Sequence, residues 1–297
     1  VRHVYECHLR WADLDSLGHI NNVVYVDYLQ EARVSLMRTM LDDERNERSR
    51  RDGSGGEAVV VVRHEVTYLA PLSFRFHPVL VECWITDVRA ATFTMAYEVF
   101  HEHEDGTRTV YLRATTVLTP YVFSAERPRR LGPEERHALE RYREEPVGPP
   151  TAAIVPLGRD GAHRFPLHVR FSDVDVYGHV NNVKYFEYFQ EARVRQVADL
   201  LRGSGLDRPS FVVAQTDVDY RSPILLRHEP YDVWSAIIAV GNRSMTIESE
   251  IADGTHVLAR SRVTVVFFDP ATQRSVPPRP ELREALLAAV SSQPEPA

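Results

Sequence analysis

The 297-residue chain has two cysteines, Cys7 and Cys83, and a single lysine, Lys184. Two cysteines cannot build the disulfide framework of a small secreted scaffold. Neither lies in a motif that makes a nucleophile, and both read as buried strand residues. The scarcity of lysine is a bias toward arginine without functional weight. No apolar run approaches the roughly 20 residues that span a bilayer, and no signal-peptide pattern opens the sequence, so the expected compartment is the cytoplasm. GxSxG, P-loop and Rossmann glycine patterns are all missing, which removes the common serine-hydrolase and nucleotide-binding readings. Positive charge is not in excess either: the formal net charge is −7, which argues against non-specific nucleic-acid binding, since that depends on neutralising phosphates.

What is there is a duplication. Residues 10–33 read RWADLDSLGHINNVVYVDYLQEAR, and residues 170–193 read RFSDVDVYGHVNNVKYFEYFQEAR. Internal repeats set the architecture. This period is a whole small domain, and the length suits two domains of about 150 residues, each able to bury a core. Before the motif, Tyr5, Cys7, Leu9 and Trp11 alternate with Glu6, His8 and Arg10, the period of a half-buried strand. Phe165, Leu167, Val169 and Phe171 repeat the alternation. After the motif the period changes to that of a helix, with Tyr25, Leu29, Ala32, Leu36 and Met40 on one face. Between strand and helix lies a loop in which Asn21 or Asn22, and Asn181 or Asn182, are expected as N-caps.

Each unit then offers alternating runs: 60–68 and 212–220, 78–88 and 230–240, 92–100 and 244–252, and a last strand opened by DGT at 105–107 and 253–255. One long helix among strands predicts an α+β unit, a helix packed on an antiparallel sheet. Tail helices are expected at 132–142 and 279–289, each with a proline near its start and acids in the first turn. The expected domains are residues 1–145 for unit 1, 146–163 for a Pro- and Gly-rich linker, 164–290 for unit 2 and 291–297 for a disordered tail. The charged, Gly-rich run 42–58 reads as a mobile loop that unit 2 shortens.

The chemistry sits in the loop. It places Asp15, and again Asp175, just before a helix N-terminus, where free N–H groups and the positive end of the helix dipole lie. Such an end can hold a developing oxyanion, while a carboxylate attacks a carbonyl or activates a water. Asp13 and Asp15 taken singly would read as loop and capping residues; the same DxDxxGHxNN spacing twice is a constellation. His19 and His179 are candidate acid–base partners, with a loop-shaping hydrogen bond as the equal alternative. Glu31 with Arg33, and Glu191 with Arg193, read as ion pairs on a helix surface or interface. His101 and His103 in HEHED lack further ligands nearby and read as a solvated turn, so no metal is expected.

DxDxxGHxNNxxYxxYxQEAR resembles the signature of hotdog-fold acyl-CoA thioesterases of the 4-hydroxybenzoyl-CoA thioesterase type. Plant acyl-carrier-protein thioesterases, also tandem hotdogs, carry a similar run. The resemblance implies a tandem double hotdog, each unit an antiparallel sheet wrapped around a long central helix, with the two units paired within one chain and further homo-oligomerisation left open. It implies hydrolysis of acyl-CoA, or of an acyl-carrier-protein thioester, to free acid and thiol, with no cofactor. Asp15 and Asp175 fall on the family's catalytic carboxylate, and Asn22 and Asn182 on its oxyanion-binding backbone N–H. The plant enzymes have Asn two residues after the Asp, where this chain has Leu17 and Tyr177, so the plant-type triad is not carried over. Arg89 and Arg243, at the turn between the third and fourth strands, match a basic cluster that grips the nucleotide phosphates of CoA; GNRSM (241–245) fits better than VRAATF (88–93). Two other readings stay open: a hotdog enoyl-CoA hydratase, although its DxNPxH run is not met, and a non-catalytic acyl-CoA or lipid-binding module, although both aspartates are kept.

Overall fold

A computed structural model describes residues 1–40, 57–146, 148–149, 151–202, 205–207 and 209–291. The chain separates into two compact units, Val1–Pro150 and Thr151–Ala297. Unit 1 contains β1 (His3–Cys7), α1 (Val24–Met40), β2 (Glu57–Tyr68), β3 (Val79–Val88), β4 (Phe93–Glu102), β5 (Arg108–Val122), β6 (Arg127–Pro128) and α2 (Pro133–Glu140). Unit 2 contains β7 (His163–Leu167), α3 (Lys184–Leu200), β8 (Phe211–Tyr220), β9 (Tyr231–Val240), β10 (Ser244–Asp253), β11 (His256–Asp269), β12 (Arg274–Ser275) and α4 (Pro280–Ser291).

Within unit 1 the antiparallel order is β1-β3-β4-β5-β2; within unit 2 it is β7-β9-β10-β11-β8, the same order in matched strands. β6 and β12 are short additions that pair with β5 and β11. This is an α+β architecture. α1 packs against β1 and β3, and α3 against β7 and β9. The buried face of α1 is the one the spacing predicts, Tyr25, Leu29, Ala32, Leu36 and Met40. Apolar burial on that stripe holds each helix to its sheet, since isolated helices of this length are marginal in water. Among the described residues, no helix is long and apolar enough to cross a membrane.

β5 runs through Pro120 to Val122. Several expectations change. The linker expected over 146–163 is in part bound to unit 2. Arg262 donates to the carbonyls of Ala152 and Ala153 at 3.2 and 3.1 Å, and the Leu157 N–H donates to Glu250 at 3.1 Å. The cause is electrostatic: Glu248 and Glu250 are buried on the sheet face away from α3 and need donors, which this segment supplies with Arg260 and Arg262. The loop expected over 42–58 falls outside the described residues except for Glu57 and Ala58, which begin β2. Ser291 closes α4, and the rest of the expected tail is likewise outside the described residues.

Cys7 and Cys83 are buried and unlinked. Burial pushes the Cys7 thiol up to about 11 and the Cys83 thiol up to about 12. Since the thiolate is the reactive form, neither cysteine should react with a disulfide reagent in native protein at pH 8, and both should react once it is unfolded. Titration with and without denaturant checks this; fast native labelling of either thiol would contradict the burial.

Candidate active site

The motif loop is built the same way in both units. Arg10 precedes a short 3-10 turn, Trp11–Asp13, and Arg170 precedes its match, Phe171–Asp173. Asp13, buried, accepts from the Arg10 N–H at 3.0 Å, from Arg10 Nε at 3.0 Å and from the Tyr28 hydroxyl at 2.6 Å. Asp173 does the same with the Arg170 N–H at 3.0 Å, Arg170 Nε at 3.1 Å and the Tyr188 hydroxyl at 2.7 Å. Burial alone would raise the Asp173 carboxyl, but the bonds from Tyr188 and Arg170 outweigh it and hold it below the usual carboxylate range. Burial, then the bond to the neighbouring aspartate, raises Tyr28 and Tyr188 well above an ordinary tyrosine, so both stay protonated donors. The Asp13 carbonyl then accepts the Asn21 N–H at 2.8 Å and the Asp173 carbonyl the Asn181 N–H at 2.8 Å, which closes the loop at its base.

Asp15 and Asp175 sit at the loop's turn. Asp15 Oδ1 accepts the N–H groups of Leu17 at 2.8 Å and His19 at 3.2 Å; Asp175 Oδ1 accepts those of Tyr177 at 2.9 Å and His179 at 3.4 Å. The backbone closes the same turn, Asp15 N–H to the His19 carbonyl and Asp175 N–H to the His179 carbonyl, both at 2.8 Å. Gly18 and Gly178 carry φ of 78° and 81° at this turn, a left-handed conformation that glycine adopts without the Cβ penalty. In each unit one carboxylate oxygen is thus fixed by the backbone, and no bond to the other, Oδ2, is present among the described residues. Both aspartates are half-buried. What joins the aspartate to His19 or His179 is the histidine backbone.

The next step in the chain is the helix entry. Asn21 Oδ1 accepts the Val23 N–H at 3.3 Å, and Asn181 Oδ1 the Val183 N–H at 3.1 Å. These bonds to the N–H two residues on are cap bonds, made to the turn that leads into each helix. α3 itself starts at Lys184 behind Val183, which carries no side-chain cap. The Asn22 and Asn182 carbonyls each accept a tyrosine hydroxyl, Tyr68 and Tyr220 respectively, at 2.8 Å in both units. The Asn22 N–H has no hydrogen bond among the described residues. Tyr68 and Tyr220 close their strands and pack edge-on against Tyr25 and Tyr185. Sequence reasoning saw these tyrosines only as strand ends; their recurrence before a proline, in YLAPL and YRSP, was the available signal.

Arg89 and Arg243 are not bonded to the loop. Arg89 pairs with Asp87 at 2.7 Å on the β3–β4 turn, with both side chains exposed. Arg243, on the β9–β10 turn, donates to the Ser275 carbonyl and hydroxyl at 3.0 and 3.2 Å; with Asp269, Thr272, Arg274 and Val276 it lines a surface cleft of about 630 Å³. Arg33 and Arg193 correct an expectation: they are 7% and 4% exposed, so they are not surface partners of Glu31 and Glu191. His101 bonds Tyr111 and His103 bonds Thr109, and no group of three or more metal-ligating side chains is present among the described residues.

A helix on an antiparallel sheet, built twice, each copy with a backbone-held carboxylate before the helix, defines a duplicated α+β protein with two like sites. A family model of the thioesterase-like superfamily matches residues 9–139 and 169–286, one match in each unit. The chain belongs to the thioesterase-like superfamily and is a thioester hydrolase. The long-chain acyl-CoA thioesterase FadM of Escherichia coli strain K12 is 30% identical over 128 residues, 40% of this chain and 93% of that one. Two solved structures resemble nearly the whole chain in fold. A Lactobacillus plantarum protein, named provisionally an oleoyl thioesterase, has TM-score 0.72 and 14% identity over 91% of this chain and 97% of its own. The 12:0-ACP thioesterase of Umbellularia californica has TM-score 0.70 and 19% identity over 89% and 96%.

Proposed function

We propose that this chain is a tandem hotdog acyl-CoA thioesterase with an aspartate-centred mechanism. The observation that carries the reading is the state of Asp15 and Asp175: one oxygen is fixed by two N–H groups, and the other is left for the substrate side. A carboxylate so held attacks the thioester carbonyl, expelling thiolate and leaving an anhydride that water cleaves, or it takes a proton from the water that attacks. Either route puts negative charge on the carbonyl oxygen, and the Asn22 and Asn182 N–H groups are assigned to it. Thiolate is a good leaving group, so no strong acid is required. The backbones of His19 and His179 close the turn, and their rings remain the candidate acid–base partners. Acyl-CoA is favoured as substrate by the likeness to FadM; a carrier-protein thioester is the second source of the same bond. Superfamily membership favours hydrolysis over the hydratase and over a passive acyl carrier. Thiol release from acyl-CoAs of graded chain length tests the reading, and no release from any acyl-CoA or acyl-carrier protein would end it.

Tyr68 and Tyr220 are positioning residues in this reading, since their hydroxyls fix the carbonyl side of Asn22 and Asn182. Tyr68→Phe combined with Tyr220→Phe should lower kcat by about tenfold and leave KM nearly unchanged, because a misaligned oxyanion donor is felt in the transition state. A rise in KM at constant kcat would place the tyrosines in ground-state binding instead.

Arg243 is assigned to the CoA phosphates. Contacts remote from the thioester act alike in ground and transition states, so Arg243→Ala should raise KM several-fold with kcat nearly constant. An unchanged KM would put the nucleotide elsewhere or point to a carrier-protein substrate.

A further inference from the structure

The two units differ where helix meets sheet. In unit 1, Cys83, Tyr97 and Ala114 are register partners across β3, β4 and β5, so their side chains share the face toward α1. Cys83 Sγ donates to the Ala32 carbonyl of α1, and Tyr97 is among the largest fully buried side chains, its hydroxyl donating to Met95 Sδ at 3.6 Å and lying near Arg33 and Thr116. Thr116 and His64 satisfy each other at 2.8 Å. In unit 2 the same three register positions, across β9, β10 and β11, are Ser235, Ser249 and Ser261. Above them α3 brings Gln196 where α1 has Leu36, at the motif's spacing of 160 residues. A row of serines has replaced a thiol, a phenol ring and a methyl group.

The polar groups of this row outnumber their partners. Ser235 and Ser249 share a hydroxyl bond at 2.8 Å, and Gln196 Nε2 donates to the Ser235 carbonyl at 3.1 Å. Among the described residues, Gln196 Oε1, Thr216 Oγ1 and Ser261 Oγ have no protein partner, and their residues are 8%, 3% and 1% exposed. Thr216 on β8 pairs with Val263 and so lies one diagonal step from Ser261 on the same face. Buried polar atoms are almost always satisfied, because leaving one without a partner costs the full desolvation of that group. Two of these atoms, on Thr216 and Ser261, lie on neighbouring strands of the face toward α3, and the third, on Gln196 of α3, stands over β9 at the other end of the serine row; together they mark a built site where a phenol ring stands in the sister unit.

We infer that unit 2 encloses a polar chamber between α3 and its sheet, lined by Gln196, Thr216, Ser235, Ser249 and Ser261, that binds small hydroxyl-type groups. A hydroxyl both donates and accepts, which suits the two hydroxyls at the Thr216–Ser261 end of the row and the amide oxygen at the Gln196 end; a purely apolar occupant would leave all three atoms unsatisfied. The group comes either from ordered water or from a hydroxyl on the acyl part of the substrate. The second source rests on the acyl-thioester reading above, whereas the chamber itself does not.

The test uses the full chain, as crystals diffracting well enough to show solvent oxygens and as enzyme assayed with dodecanoyl-CoA and 12-hydroxydodecanoyl-CoA. The expected result is oxygen density within hydrogen-bond distance of at least two of Gln196 Oε1, Thr216 Oγ1 and Ser261 Oγ. Equal kcat/KM for the two substrates then assigns the density to water. A preference of about tenfold or more for the hydroxylated substrate, lost in Ser261→Ala and Thr216→Val, assigns the site to the substrate hydroxyl. Ser249→Tyr, which restores the residue of unit 1, should fit the space and hold or raise the thermal midpoint; Ser261→Ala and Thr216→Val test the site without added bulk if that variant fails to fold. Crystals in which the three atoms pair with protein groups and no oxygen lies among them would overturn the proposal. Failure to cleave any acyl thioester would overturn the functional reading and leave the density result standing.

Discussion

Asp15→Asn combined with Asp175→Asn lowers thioester cleavage by about a hundredfold or more, the scale of a lost nucleophile or general base. Asparagine is nearly isosteric with aspartate, and its carbonyl oxygen can still accept the two N–H bonds that shape the turn, those of Leu17 and His19 or of Tyr177 and His179. The loop is therefore kept while the second oxygen, with its charge and basicity, is replaced by an amide nitrogen. Each single substitution is expected to leave partial activity, because both units keep the whole DxDxxGHxNN run. The shares should be unequal, since Ser16 and Leu17 flank one aspartate and Val176 and Tyr177 the other, and Val176 is almost fully exposed. Steady-state thiol release from wild type, both singles and the double, with folding followed by circular dichroism, measures this. Loss of all activity in one single variant would reduce the other unit to scaffold. Wild-type rates in a well-folded double variant would remove the aspartate mechanism.

The elements that follow a simple period were legible in the sequence: strand alternation, the helical face of Tyr25, Leu29, Ala32 and Leu36, and the loop repeated between them. The loop could be read because its partners are close in the chain; Asp15 binds groups two and four residues on. Tyr68 and Tyr220 could not be read this way, since they bind carbonyls 46 and 38 residues distant, a distance only the fold closes. Arg33 was misplaced for a different reason. It lies four residues after Leu29 and three before Leu36, so the helical period already put it on the buried face; residue type was allowed to override spacing. The polar core of unit 2 is visible as serines in an alignment of the two copies, but their meaning depends on strand register, which periodicity alone does not fix.

Asp173→Ala is expected to cost about 2–4 kcal/mol of folding stability. The carboxylate is 1% exposed and is the hub of its loop: it holds the Arg170 N–H and guanidinium and the buried Tyr188 hydroxyl. Removing it deletes charge-assisted bonds and leaves the tyrosine hydroxyl without an acceptor, each a loss in its own right. The cost stays below that of a fully buried broken ion pair because the Arg170 side chain is 61% exposed and water takes up its charge. Asp173→Asn, which keeps an acceptor for Tyr188 and loses only the charge, should cost about half as much. The effect has a pH signature. The folded carboxyl is held below its ordinary value of 3.8, so the unfolded chain binds the proton more readily. The stabilisation is therefore complete above that ordinary value and is lost as pH falls through the lower, folded one. The difference between wild type and Asp173→Ala should be constant from pH 7 to about pH 5 and shrink below about pH 4. Denaturant unfolding of both proteins across that range measures it. A difference that grows on acidification would mean that Asp173 is protonated in the native loop and donates to its neighbours, which reverses the charge assignment at the base of the site.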